Sequence, residues 1–172
     1  MKGYQCEKII KEIMEGNDNA IGRLYELIGR NMYAVAYNVL YDYQLAEDAI
    51  QESLINVLRG AKALNTPRAA YSWVLTIVRN TSLDILRKRK HESPTEDTEL
   101  INLSESSMHV TGEAVDVQQA LAGLEENDRQ IVLLKATMGF SHREIAKMLD
   151  LTEGACQKRY QRALKELREH LK

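Results

Sequence analysis

Apolar residues recur along this chain at steps of three and four, the period of a helix with one buried face. Ile9, Ile10, Ile13 and Met14 predict a short leading helix. Asn17 and Asp18 are cap residues, and after them Ile21, Leu24, Tyr25 and Ile28 open a longer stripe. It continues through Met32, Val35, Ala36, Val39 and Leu40 to a short break at Asp42-Tyr43. Leu45, Ala49, Ile50, Leu54, Val57 and Leu58 mark the next helix. Thr66-Pro67 is a start signal, since threonine caps and proline suits the first helical position. The helix it opens carries Tyr71, Val74, Leu75, Val78, Leu83 and Leu86 and ends in Arg87-Lys88-Arg89-Lys90.

The periodicity stops at His91. Residues 91–112, rich in Ser, Thr and acids and containing Pro94, read as a flexible linker. Beyond it Val117, Leu121 and Leu124 form one stripe, and Ile131 and Leu134 another. Ser141 with Glu144 fits a capping box, in which each side chain satisfies a backbone donor at the helix start. Ile145, Ala146 and Leu149 face inward from that short helix, and Asp150-Leu151 is a tight break. Thr152 then caps a longer helix with the stripe Cys156, Tyr160, Ala163, Leu164, Leu167 and Leu171. A short helix, a tight turn and a longer helix is the grammar of a helix-turn-helix. The pattern therefore predicts an all-α protein of two small helical domains, 1–90 and 113–172, joined by the linker.

Composition supports a folded helical chain of 172 residues: 44% are hydrophobic, 28% are charged, and two prolines and nine glycines leave little turn punctuation. No apolar run approaches the roughly 20 residues of a membrane span. Charge changes the picture more. The formal net charge of -2 conceals four zones: -4 over residues 1–58, +7 over 59–91, -10 over 92–128 and +5 over 129–172. Because salt screens over about 8–10 Å, each zone presents its own field. Two basic zones flanking an acidic one suit a polyanion bound at both ends.

Candidate chemistry points the same way. Gln157, Lys158, Arg159, Gln161 and Arg162 share the outer part of the last helix, where Arg suits guanine, Gln suits adenine and Lys suits phosphate. Catalytic machinery is not legible. The four histidines are scattered without metal-ligand spacing, and there is no glycine-rich phosphate loop. Two cysteines make neither a disulfide framework nor a zinc site. No enzyme activity, cofactor or metal is expected, and the composition is that of a cytoplasmic protein.

Leu124-Glu125-Glu126-Asn127-Asp128-Arg129, Phe140-Ser141 with Glu144-Ile145-Ala146, and Thr152-Glu153-Gly154 with Arg159 and Arg162 resemble the second conserved domain of bacterial sigma factors. Leu24-Tyr25, Ala46-Glu47-Asp48 with Gln51-Glu52, Trp73, and Arg79-Asn80 with Asp84 and Arg87 resemble the first, in the same order. Two domains and a linker resemble the compact extracytoplasmic-function (ECF) class. The chain departs from the family with Glu125 where proline is usual and Asp150 where glycine is usual.

The resemblance implies a promoter-specificity factor. Glu47, Asp48, Gln51, Glu52 and Ile55 are then expected to dock on the clamp helices of the largest subunit of core RNA polymerase. The loop from Gly60 to Thr66 is expected to capture a flipped base, with Asn80 on base edges and Arg79, Arg87 and Lys88 on phosphates of the opened −10 strand. Trp73, inside an apolar stripe, reads as core. Gln157, Lys158, Arg159, Gln161 and Arg162 are expected on the −35 duplex, and an anti-sigma factor is the expected regulator. Two other readings compete: a dimeric helix-turn-helix regulator that never joins polymerase, and a helical module whose basic zones bind an acidic protein.

Overall fold

A computed structural model describes residues 1–92 and 112–171, with side chains described for 117–171 of the second stretch. All regular structure among the described residues is helical. The chain divides into two compact units, Met1–Thr95 and Glu96–Lys172.

The first unit holds α1 (Lys2–Met14), α2 (Ala20–Leu40), α3 (Tyr43–Ala61) and α4 (Ala70–Glu92), with a 3₁₀ turn over Pro67–Ala69 ahead of α4. Helices α2, α3 and α4 pack on one another, and α1 lies against α2 and α4. Large apolar side chains fill the centre: Ile10, Ile13, Leu24, Ile28, Met32, Leu40 and Leu75 are fully buried. Apart from Ile50 and Leu75, α3 buries Ala46, Ala49, Ser53, Val57 and Ala61, and α4 buries Ala70, Val74, Val78, Thr81 and Ser82. These are small side chains, which let two helices approach closely. The two serines satisfy themselves within their own helices, Ser53 donating to the Ala49 carbonyl at 2.5 Å and Ser82 to that of Val78 at 2.7 Å.

The break expected at Asp42-Tyr43 is a working corner. Tyr41 takes a left-handed φ of 50° to end α2, and the Asp42 carboxylate caps α3 by accepting from the Leu45 amide at 2.9 Å. The start of α2 differs from expectation. Asn19, not Asn17 or Asp18, holds the cap position and makes no side-chain cap bond. The carbonyls of Asn17 and Asp18 instead accept from Ala20 and Ile21 in a preceding turn. Thr66 likewise offers no side-chain cap, because Pro67 opens the 3₁₀ turn rather than the α-helix itself.

Helix α4 runs to Glu92, so the first two positions of the expected linker are helical, and Gly112 opens the next helix. The remainder of that linker lies outside the described residues.

The second unit holds α5 (Gly112–Ala122), α6 (Glu126–Val132), a π-helical turn over Leu133–Thr137, α7 (His142–Met148) and α8 (Glu153–His170). Helix α8 is the shared neighbour of α5, α6 and α7. Ile131, Leu134, Ile145, Cys156 and Ala163 form the centre. Val117 and Leu171 are exposed instead of buried: α5 has chiefly α8 beside it, and Leu171 lies past the end of α8. Burial pushes the Cys156 thiol up, and that of Cys6 to about 11, so both are protonated apolar fillers at neutral pH.

The α7–α8 junction follows the sequence closely. Ser141 accepts from the Glu144 amide at 3.2 Å while Glu144 accepts from the Ser141 amide at 2.8 Å. Thr152 caps α8 by accepting from the Ala155 amide at 3.2 Å. Between them Asp150 adopts φ 54°, a region that favours glycine. Asp150→Gly is therefore expected to stabilise this unit by roughly 0.5–1 kcal/mol, read as a raised denaturant midpoint.

Candidate nucleic-acid interface

Helix α3 turns one face outward. Glu47, Asp48, Gln51 and Glu52 are exposed, and Ile55 among them is 48% exposed, an unusual position for a large apolar side chain. Among the described residues no hydrogen bond or ion pair ties down Asp48, Gln51 or Glu52. The face is acidic with an apolar spot, and it is free for a partner. A cluster unforeseen in the sequence borders it. Tyr33, Tyr37 and Tyr43 cluster at the α2–α3 corner, Tyr33 stacked on the other two and the Tyr37 and Tyr43 rings tilted with centroids 4.9 Å apart. Burial pushes the Tyr33 and Tyr37 hydroxyls up to about 12. The four-residue spacing of Tyr33, Tyr37 and Tyr41 along α2 was the available signal.

On another side of α3, its close approach to α4 brings Asn56 and Gly60 beside Trp73, Asn80 and Thr81. The Asn56 amide donates to Thr81 Oγ1 at 3.4 Å. A cavity of about 670 Å³ opens there, walled by these residues, by the loop from Ala63 to Thr66, and by Asp84. Trp73 is half-buried, not core: its ring forms a wall of the cavity, packed against Gly60. A Cβ added at Gly60 would sit 3.1 Å from Trp73 Cζ2, so glycine there is what gives the ring its seat. Asn80 is exposed at the rim and can both donate and accept.

Of the other basic residues expected here, Arg87 is exposed and pairs with Asp84 at 3.1 Å, Lys88 is exposed, and Arg79 is only half-exposed. None of the three lines the cavity. Arg89 is tied instead to the α3 cap, 3.5 Å from Asp42.

In the second unit the outer part of α8 divides into two sets. Gln157, Lys158 and Gln161 are exposed and make no bond among the described residues. Arg159 and Arg162 are engaged. Arg159 Nη1 donates to Asp128 Oδ1 at 2.8 Å and to Glu125 Oε1 at 3.1 Å. Arg162 Nη2 donates to Asp128 Oδ2 at 2.6 Å and lies 3.8 Å from Glu125, with its Nε 3.8 Å from Glu166. Asp128 is only 2% exposed, so one buried carboxylate at the start of α6 receives both guanidiniums of α8.

Known proteins carry the same two parts in the same order. The model of Sigma-70 region 2 matches residues 24–92, and that of Sigma-70, region 4 matches residues 114–167. Together they take in well over half of the chain. The ECF RNA polymerase sigma factor SigM of Mycobacterium tuberculosis is 28% identical over 86% of this chain and 75% of its own length. The probable RNA polymerase sigma factor RfaY of Xanthomonas campestris is 26% identical over 91% of this chain, which spans 41% of that longer protein. In fold, the chain is similar to the sigma factor RpoE of Bartonella quintana, solved in complex with the anti-sigma factor NepR. The TM-score is 0.75, at 24% identity over 87% of this chain and 95% of that one. With both conserved regions in place, one on each helical unit, the chain belongs to the sigma-70 family, in its extracytoplasmic-function class.

Proposed function

We propose that this chain carries core RNA polymerase to specific promoters, reads their −35 element with α8 and opens their −10 element with the α3–α4 corner. The cavity between Gly60, Trp73 and Asn80 carries the reading. An unstacked base needs a pocket with an aromatic wall and a polar edge, and a basic surface for its strand. Trp73 supplies the wall, Asn80 the edge, and Arg87 and Lys88 the nearby positive charge. Glu47, Asp48, Gln51, Glu52 and Ile55 form the polymerase-docking face, matched to the clamp helices of the largest subunit. Gln157, Lys158 and Gln161 meet the −35 duplex, with Arg159 and Arg162 behind them. The domain limits proposed are 1–90 for docking and opening, 91–112 for the linker and 113–172 for −35 reading.

Control by an anti-sigma factor belongs to the same proposal, since the similar RpoE is held in such a complex. No helix among the described residues is long and apolar enough to cross a membrane, and the proposed place of action is the cytoplasm, where polymerase and promoters meet. A DNA-binding regulator that never joins polymerase leaves the free α3 face without a purpose.

Strand opening supplies the test. Asn80→Ala removes an exposed side chain and is expected to leave polymerase binding intact while reducing permanganate reactivity of −10 thymines about 10-fold or more, for a lost amide–base contact. Normal melting by the mutant holoenzyme would take Asn80 and its cavity out of the opening step.

A further inference from the structure

The polar side chains of α8 are not equally available to DNA, and the division bears on which bases are read. We infer that base reading in the −35 duplex rests on Gln157 and Gln161, which take adenine, while Asp128 and Glu125 withhold Arg159 and Arg162. The inference rests on the reading of α8 as the −35 element reader.

Three observations carry it. Gln157 and Gln161 are exposed, lie four residues apart on one face and make no bond among the described residues, so they reach a base edge without breaking anything. Gly154 sits one turn before Gln157 on that face, and a Cβ there meets nothing within 4 Å, which leaves the helix start bare for close approach to a groove. The arginines are differently placed. Swinging Arg162 to a guanine leaves Asp128 Oδ2, on a carboxylate 2% exposed, without the donor it holds at 2.6 Å. That loss offsets much of what the base contact returns. Arg159 is held more firmly, bridging Asp128 and Glu125 with a side chain only 25% exposed.

Glutamine pairs bidentately with adenine N6 and N7. Residues four apart are spaced about 6 Å along a helix, nearly two base-pair steps of about 3.4 Å. The expected element therefore has two A·T pairs one to two positions apart. Lys158 and Lys165, exposed beside the glutamines, are left for phosphates.

The test uses the full chain bound to core polymerase, selecting from duplexes randomised across the upstream element. Wild type is expected to enrich adenine at two positions. Gln157→Ala and Gln161→Ala, at exposed helical sites where alanine is well tolerated, are each expected to relax one of them by ~5- to 150-fold and leave the other. Glu125→Gln loosens Arg159 and is expected to raise affinity for all duplexes alike, with a steeper salt dependence. Enrichment that neither glutamine variant alters overturns the inference alone. So does a guanine preference erased by Arg162→Ala at unchanged helicity. A pool that wild type does not enrich at all overturns the −35 assignment itself and the inference with it.

Discussion

Asp128→Ala is expected to destabilise the second unit by roughly 2–3 kcal/mol. Breaking a buried pair from one side costs about 3–5 kcal/mol when the orphaned charge stays buried. Here the orphans are two guanidiniums whose side chains are 25% and 52% exposed, so water recovers part of that cost. The two arginines also oppose each other's charge once the carboxylate between them is gone. The sole tryptophan makes the measurement clean. Trp73 belongs to the first unit, so its fluorescence reports that unit alone while far-ultraviolet circular dichroism reports both. The variant should shift the dichroism transition to lower denaturant and leave the Trp73 transition in place. Coincident, unshifted curves would mean that Asp128 contributes nothing to the packing of α6 on α8.

Reversing Asp48 and Glu52 together to lysine should lower affinity for core polymerase roughly 100-fold, the scale of losing two close interfacial charge pairs. The effect on folding should be nearly nil. Asp48 and Glu52 stand four residues apart on α3, where like charges oppose helix formation, and neither has an intramolecular partner among the described residues. Two lysines keep the same mutual repulsion and cost no native contact. Pull-down titration against core polymerase at fixed salt, with circular dichroism as control, gives the answer; full affinity in the double variant would place the docking face elsewhere.

Much of this was legible in the sequence because it is local. The Asp42 corner, the Ser141–Glu144 capping box and the Thr152 cap are each set within four residues, and each forms as the spacing predicts. The exposed α3 face follows from the helical period alone. Asp150, departing from the usual glycine, takes the left-handed conformation that the turn requires. The features that no local pattern encodes depend on tertiary approach. Asp128 is 31 residues from Arg159 and 34 from Arg162, and no periodicity links them. Trp73 reads as core because it lies in an apolar stripe, but its ring lines an open cavity between Gly60, in the last turn of α3, and the loop from Ala63 to Thr66. Val117 fits a stripe and yet is exposed, because a stripe is buried only where a neighbouring helix covers it. Asn19 displaced the expected caps by one or two residues, a shift within the ordinary spread of helix ends.

A chain that gives polymerase its promoters must create start sites that core polymerase alone lacks. The direct measurement is reconstituted transcription: purified core polymerase, with and without the full chain, on fragmented genomic DNA, with the 5′ ends of the transcripts mapped. Discrete start sites are expected that appear only when the chain is added and share one upstream and one −10 motif. Initiation by core unchanged by the chain, together with tight binding of the chain alone to a palindromic site, would contradict it.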